Sequence, residues 1–150
     1  MARTKNRHIS QSETGIEDVK AIEKTYIAGI YTRLSQERKE AYRDKSNSLE
    51  MQEELCIKEA NEKDIKVFRV YKDYEYSGTN FKRPGFLEMM EDIRIGRINC
   101  IIVKDMSRFG REYLEISNYI EKVFPFLEVR FISVNDNLDT KDGIKSDKSY

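Results

Sequence analysis

Short apolar runs rich in β-branched and aromatic residues alternate with amphipathic segments along most of this chain, and each run has the composition of a buried strand. The candidate strands are 26–31, 66–71, 100–103 and 129–134. The segments between them carry apolar residues at helical spacing. Because strand and helix alternate three times over with short connections, the sequence predicts an α/β fold. The expected architecture is a mostly parallel sheet of about four to five strands with helices on both faces.

The candidate helices have recognisable ends and inner faces. Asn47, with Glu50 three positions later, resembles a capping box for a helix over about 48–62. The inner face predicted for this helix comprises Leu49, Gln52, Cys56 and Ala60. A loop over 72–83 is expected next, and Pro84 suits the first turn of a second helix that Gly96 closes. Its predicted inner face comprises Phe86, Leu87, Met90 and Ile93. A third helix is expected from about 110 to Pro125, and its predicted inner face comprises Leu114, Ser117, Ile120 and Phe124.

Length and charge indicate one domain with any anion site confined to a local patch. The 150 residues suit a single core, flanked by a polar flexible arm over 1–24 and a polar tail over 141–150. Basic and acidic residues balance at 27 each, so no global positive field is present.

Cys56 and Cys100 lie in apolar patterns, which favours buried thiols in a reducing cytosol. No run approaches the roughly 20 apolar residues of a membrane helix, and the first residues lack a secretory segment, so we expect a cytoplasmic protein.

The predicted topology indicates where a functional site should lie. In open α/β sheets ligands bind beyond the carboxyl ends of the strands. The segments there are 32–35, 72–77, 104–111 and 135–139. They bring Arg33, Ser35, Arg108 and Arg111 to one edge of the sheet.

Arg108 and Arg111 suit an anion site if the third helix starts near Ser107. Residues three apart then project from one face of its first turn. Cations at a helix N-terminus are unfavourable by roughly 0.3 to 1 kcal/mol each, so two of them make sense when an anion shares the site. These arginines could equally pair with neighbouring carboxylates, and the two interpretations are evenly balanced on Arg108 and Arg111 alone. Arg33 and Ser35 favour the anion site, because they add a third guanidinium and a hydroxyl that could attack a bound phosphorus.

The residue types in the predicted domain leave several classes of enzyme chemistry poorly supported. The predicted domain contains no histidine, no Cys/His cluster and no closely spaced carboxylate pair, which leaves histidine-assisted acyl transfer and zinc catalysis poorly supported. The sequence has neither a GxxxxGKS/T loop nor GxGxxG. Serine attack on a phosphodiester, with guanidinium groups neutralising the developing charge, is the chemistry that these residues favour.

Several separate blocks of this chain match one family. The blocks are YTRLS, SLEMQ, YKDYEYSG, KRPGF, VKDMSRFGR and VRFISVND, in the right order and spacing over about residues 25–140. They resemble the catalytic domain of serine recombinases, the resolvase/invertase family. Details such as KDMSRFGR look most like the large serine recombinases of mobile elements in Gram-positive bacteria.

The resemblance implies cutting and rejoining of DNA through a covalent 5′-phosphoserine linkage, with no metal and no energy cofactor. It makes Ser35 the nucleophile and makes Arg33, Arg108 and Arg111 the arginines that act on the scissile phosphate. The resemblance also assigns an active-site arginine to Arg83, whose other interpretation is an exposed cap residue. Supporting positions are Tyr31, Gln52 and Asp73; of these, Asp73 could instead hold Arg33 or a loop amide, and Gln52 could be an ordinary polar residue at the helix edge.

Two departures qualify the resemblance. Small resolvases usually carry an aspartate immediately before the first arginine of the last motif, and Ser107 stands there. We expect Ser107 to cap a helix. The family's long dimerisation helix and DNA-binding region would follow the last strand, so we expect a catalytic-domain fragment of a protein that forms a dimer and a synaptic tetramer on DNA.

Two other classes of protein remain as alternatives. A resolvase-like module could bind DNA or a partner without chemistry. A receiver-like signalling domain also alternates strand and helix, but it needs acidic residues after the first strand, where this chain has Arg33 and Ser35.

Overall fold

The strands and helices of the chain follow the predicted alternation. The computed structural model describes residues 24–35, 48–75, 83–110 and 112–142. The strands are β1 (Ile27–Ser35), β2 (Lys66–Glu75), β3 (Cys100–Val103), β4 (Arg130–Ser133) and β5 (Leu138–Asp139). The α-helices are α1 (Leu49–Glu62), α2 (Pro84–Arg94), α3 (Met106–Phe109), α4 (Tyr113–Asn118) and α5 (Phe124–Leu127). A π-helical turn, Tyr119–Val123, joins α4 to α5, and a 3₁₀ turn, Thr140–Asp142, follows β5.

The five strands form one sheet in the order β2-β1-β3-β4-β5. The pairs β2/β1, β1/β3 and β3/β4 are parallel, whereas β5 runs antiparallel to β4. The predicted α/β fold with a mostly parallel sheet is therefore confirmed, although the antiparallel β5 lies in a stretch where no strand was assigned from the sequence. The chain adds β2 on one side of β1 and then β3 on the other side, so the order of connection reverses between β1 and β3. Open α/β sheets form their ligand crevice at such a switch point.

Helices cover both faces of the sheet, as predicted. On one face Cys56 and Ala60 of α1 pack against Ile30, Ile102 and Ile132. The opposite face is covered by α2 and by the helical run from α3 to α5. The core on that side includes Tyr31, Tyr71, Phe86, Met89, Ile101, Phe109, Phe124 and Phe131. Successive residues of the central strands therefore serve two separate cores, because side chains alternate across a sheet.

Helix α1 matches the prediction except at its N-cap. Its buried residues are Leu49, Gln52, Cys56 and Ala60, which is the predicted inner face. The capping residue is Ser48, whose Oγ accepts from the Met51 amide at 3.1 Å, so the capping box that began at Asn47 was wrong. Asn47 itself lies outside the described residues.

Strand β2 and helix α2 differ from the prediction in their details. The strand continues to Glu75, so the first part of the predicted loop over 72–83 is extended chain paired with β1. Helix α2 begins at Pro84 as predicted, and Gly96 follows its end with a positive φ of 87°. Met89 is fully buried, whereas Leu87 is 66% exposed and does not belong to the inner face.

The third helical region differs most from its prediction. A separate short helix, α3, ends at Phe109, and α4 starts at Tyr113. Leu114 is 78% exposed, so its assignment to the inner face was wrong. Pro125 does not end the run, because the preceding π-helical turn accommodates a residue that has no amide hydrogen and α5 continues to Leu127. Ile120 and Phe124 are buried as predicted.

Cys56 and Cys100 are both buried, and neither forms a disulfide bond. Burial raises the pKa of Cys56 and the pKa of Cys100 to about 12 each, so neither thiol is a ready nucleophile. No group of three or more potential metal ligands gathers within the described ranges. Among the helices in those ranges, none has the length and apolar character required to cross a bilayer.

Candidate active site

Arg33 lies near the carboxyl end of β1, and its guanidinium crosses the switch point to α3. Its Nε donates to the Arg108 carbonyl at 3.3 Å, and its Nη2 donates to the Ser107 carbonyl. The residue is only 8% exposed. Arg108 also contacts Arg33, since its Nη1 donates to the Arg33 carbonyl at 3.4 Å. The two arginines predicted to share a site are therefore adjacent.

Gln52 fixes the backbone of Arg33 from the α1 side of the sheet. Its side-chain Nε2 donates to the Arg33 carbonyl at 3.0 Å, and its Oε1 accepts from the Arg33 amide at 3.2 Å. Gln52 is fully buried. The alternative of an ordinary polar residue at the helix edge is therefore wrong, since both ends of its amide are bonded to the strand that carries Arg33.

Asp73 joins β1, β2 and α2 through one buried carboxylate. It accepts from the Tyr31 hydroxyl at 2.7 Å and from the amides of Gly85 and Phe86 at 2.7 and 3.0 Å. The amides belong to the first turn of α2, where a negative charge is favourable. Asp73 therefore holds backbone amides, although these belong to a helix and not to the loop that the alternative named. Burial raises the pKa of Tyr31 above its ordinary value, with the Asp73 hydrogen bond acting in the same direction against the Arg83 charge, so the phenol stays protonated and donates.

Arg83 is a partly buried bridge and not an exposed cap residue. It precedes α2, but its side chain is only 9% exposed and makes no capping hydrogen bond. The guanidinium pairs with Glu115 at 3.2 Å, donates to the Tyr31 hydroxyl at 3.3 Å and donates to the Phe109 carbonyl. Its Cζ lies 3.8 Å from the centre of the Phe86 ring.

The last carbonyls of α3 thus receive guanidinium groups from two directions. Arg33 donates to the carbonyls of Ser107 and Arg108, and Arg83 donates to that of Phe109. Cations are favourable at a helix C-terminus, where carbonyl groups lack helical partners. Because both arginines converge there, four of the proposed site residues, Tyr31, Arg33, Arg83 and Arg108, lie around this short helix.

Two predicted residues are only partly placed by the structure. Ser35 is the last residue of β1, in register with Glu75, and is described through its backbone. Arg111 lies outside the described residues. Helix α3 ends at Phe109, and Gly110 is extended with φ −149° and ψ 169°. The expectation that Arg108 and Arg111 share the first turn of one helix depends on Arg111 and stays a prediction.

Three carboxylates shape this site. One of them, Asp105, is among the neighbouring carboxylates that were possible partners of the arginines in the alternative to an anion site, and it lies 4.0 Å from Arg108 Nε. Asp105 is the N-cap of α3 and accepts from the Arg108 amide at 3.1 Å, so Ser107 does not cap this helix as expected. Asp136, after β4, accepts from the Met106 amide at 2.8 Å. Glu115 binds Arg83. The position of Asp105 three residues before Arg108 was a readable capping signal, whereas Asp136 and Glu115 reach the site only through tertiary structure.

The sequence profile described as "Resolvase, N terminal domain" matches residues 28–147. The chain belongs to the resolvase family, as its motifs predicted. Solved structures similar to this chain include the following three. A resolvase family site-specific recombinase from Streptococcus pneumoniae has a TM-score of 0.67 and 25% identity over 83% of both chains.

Two further solved structures are catalytic domains by their descriptions. The N-terminal catalytic domain of TP901-1 integrase has a TM-score of 0.65 and 25% identity, covering 80% of this chain and 85% of that one. The C-terminal catalytic domain of ISC1926 TnpA, an IS607-like serine recombinase, has a TM-score of 0.57 and 29% identity, covering 72% of this chain and 70% of that one.

A curated relative extends the comparison to a longer protein. A candidate DNA recombinase of Bacillus subtilis (strain 168) is 34% identical over 88 residues, which is 59% of this chain. The matched stretch spans only 16% of the length of that relative. The fold and the family therefore describe this chain as a resolvase-type serine recombinase catalytic domain.

Proposed function

We propose that the protein containing this chain cuts and rejoins DNA at specific sites through a covalent bond between Ser35 and a 5′ phosphate. The observation that carries this proposal is the meeting of Arg33 and Arg108 at the carboxyl edge of the sheet, where β1 ends at Ser35. Guanidinium groups are suited to the charge of a phosphodiester, because they stay protonated and donate two parallel hydrogen bonds. Family membership and the similarity to solved recombinase catalytic domains support the same reaction class.

In the proposed reaction the Ser35 oxygen attacks phosphorus and a phosphoserine bond forms. The bond between phosphorus and the 3′ oxygen breaks, and the serine proton is balanced by the proton that the leaving 3′ hydroxyl gains. Rejoining is the reverse reaction with a new 3′ hydroxyl, so no metal and no energy cofactor is consumed. Arg33, Arg108 and Arg111 stabilise the developing charge on the phosphate oxygens, and Arg83 assists from the α2 side.

The supporting residues have positioning roles in this proposal. Gln52 holds the backbone of Arg33, and Asp73 orients Tyr31, which in turn accepts a hydrogen bond from Arg83. We further propose that the complete protein acts as a homodimer that forms a synaptic tetramer on DNA.

The test uses the full-length protein and a suicide DNA site, in which a nick lets the cleaved strand escape and traps the adduct. We expect a covalent protein–DNA adduct that disappears in Ser35→Ala. The matched control is Ser117→Ala, a serine of α4 outside the site, which should form the adduct as the wild type does. An adduct that persists in Ser35→Ala would overturn the assignment of the nucleophile.

A second candidate is a resolvase-like module that binds DNA or a partner without chemistry. It is favoured by one observation, namely that Arg33 and Arg83 donate to protein carbonyls in this structure. This candidate predicts that wild-type protein binds the DNA site and forms no adduct in the same assay.

A further inference from the structure

We infer that Asp105 is a positioning residue, which orients the Arg108 guanidinium through its negative charge. The inference rests on the proposed function, because it concerns how Arg108 is presented to a phosphate. Asp105 lies two residues after the end of β3 and immediately before α3, so it is at the switch point between β1 and β3.

One oxygen of Asp105 organises the start of α3. Its Oδ1 accepts from the Arg108 amide at 3.1 Å and from the Ser107 hydroxyl at 2.6 Å. The same oxygen lies 4.0 Å from Arg108 Nε. The carboxylate therefore faces both the backbone and the side chain of Arg108.

The second observation concerns the Nε–H group of Arg108. It is buried and has no hydrogen-bond partner among the described residues. A buried donor without a partner costs about 1 to 3 kcal/mol, so a ligand oxygen that reaches it gains the bond and removes the cost. At 4.0 Å the Asp105 charge attracts the guanidinium without taking this donor.

The surroundings make this attraction effective. The side chains of Asp105 and Arg108 are only 25% and 18% exposed, so water screens the pair less than it screens a surface pair. The cap on α3 also fixes the Ser107 carbonyl, to which Arg33 donates. One carboxylate thus orders one arginine through its charge and another through the backbone.

A capping role alone would explain part of this geometry, and one substitution separates the two roles. Asparagine is as good an N-cap as aspartate but carries no charge. Asp105→Asn therefore keeps the cap and removes the attraction on Arg108, whereas Asp105→Ala removes both. If Asp105 only caps α3, Asp105→Asn should behave as the wild type.

The first experiment measures adduct formation by the full-length protein on the suicide DNA site at saturating DNA. We expect Asp105→Asn to slow cleavage by about tenfold or more, with DNA affinity nearly unchanged, because orientation and not binding is lost. The matched control is Asp64→Asn, the same chemical change at an exposed turn, which should keep the wild-type rate. In an Arg108→Ala background Asp105→Asn should slow cleavage less than about twofold further, since the two residues act as one unit.

The second experiment has a readout that does not depend on catalysis. In the 150-residue chain, the NMR resonance of the Arg108 Nε–H group should shift and exchange faster with water in Asp105→Asn but not in Asp64→Asn. This result stands even if the wild-type protein forms no Ser35 adduct, an outcome that would overturn the proposed function alone. An unchanged resonance, or wild-type cleavage by Asp105→Asn, would overturn the inference on Asp105.

Discussion

Gln52 gives Arg33 the backbone hydrogen bonds that a neighbouring strand would otherwise provide. The pairing of β1 with β3 ends at Ile30 and Ile102, three residues before Arg33. The Gln52 amide then bonds to both the amide and the carbonyl of Arg33. This position therefore requires a side chain that carries a hydrogen-bond donor and an acceptor together, as glutamine does. Hydrophobic periodicity alone does not predict that requirement.

We expect Gln52→Leu to lower the free energy of unfolding by about 1 to 3 kcal/mol, because buried backbone groups of Arg33 lose their partner. Urea unfolding measures this loss as a lower midpoint at an unchanged m value. Glu54→Leu, on the exposed side of the same helix, is the control and should change stability little. Equal losses in the two variants would contradict the role of Gln52.

At the scale of elements, the Asp73 carboxylate is a joint between β1, β2 and α2. Gly85 is the position that allows α2 to approach so closely, because a Cβ there would lie 2.8 Å from the Lys72 carbonyl. The helix therefore begins directly against β2, and Asp73 satisfies its first amides.

Asp73→Asn should destabilise the protein by about 2 kcal/mol or more, since one carboxylate oxygen becomes a donor that faces other donors. Tyr31→Phe removes the hydrogen bond to Asp73 and the longer one from Arg83 but leaves both helix amides bonded to the carboxylate, so it should cost less, about 1 kcal/mol. Thermal or urea unfolding of both variants tests this order. A Tyr31→Phe variant as unstable as Asp73→Asn would show that the phenol, and not the helix amides, is the important partner.

The helical region after β3 shows where sequence patterns stop being sufficient. The buried and half-buried residues follow a spacing of four from Ile116 through Ile120 to Phe124. A spacing of three from Leu114 predicted the wrong start of this face. The break at Gly110 and the π-helical turn before Pro125 interrupt this region, and a regular helical period predicts neither of them.

At the scale of the whole molecule, the alternation of strands and helices predicted the layers of the fold but not the order of the strands. Parallel pairing brings Arg33 and Arg108 together only because β1 lies beside β3. The residue types at the carboxyl ends of the strands predicted that Arg33 and Arg108 share this edge, and the two arginines are adjacent there. The hydrogen-bond partners of Arg33 and Arg83 could not be predicted, because these partners are backbone carbonyl groups. Every residue has such a group, so the sequence does not indicate which one accepts.

At the β4–β5 edge of the sheet, the ionisation of Asp139 should make the free energy of unfolding depend on pH. Burial alone would raise the pKa of Asp139, but the hydrogen bonds from Arg130 and Lys141 and the charges of Arg130 and Lys63 together hold this pKa below its ordinary value. A carboxyl with a lowered pKa stabilises the fold above its unfolded value of roughly 3.9, and this stabilisation is lost as the pH falls through the folded value.

Between about pH 6 and pH 3, the wild-type protein should therefore lose more stability than Asp139→Asn, which lacks this carboxylate at every pH. Urea unfolding at a series of pH values measures both curves. Parallel curves would contradict a contribution from the Arg130–Asp139 pair, whose two hydrogen bonds measure 2.8 and 2.6 Å.

The carbonyl groups at the end of α3 make phosphate binding an exchange reaction. Arg33 and Arg83 already donate to them, so an incoming phosphate oxygen competes with the protein's own oxygens. A hydrogen bond to a charged group contributes about 1.5 to 3 kcal/mol, and breaking one offsets much of the gain from forming another. Free phosphate should therefore bind weakly, and only a phosphodiester held by many further contacts should displace these internal competitors.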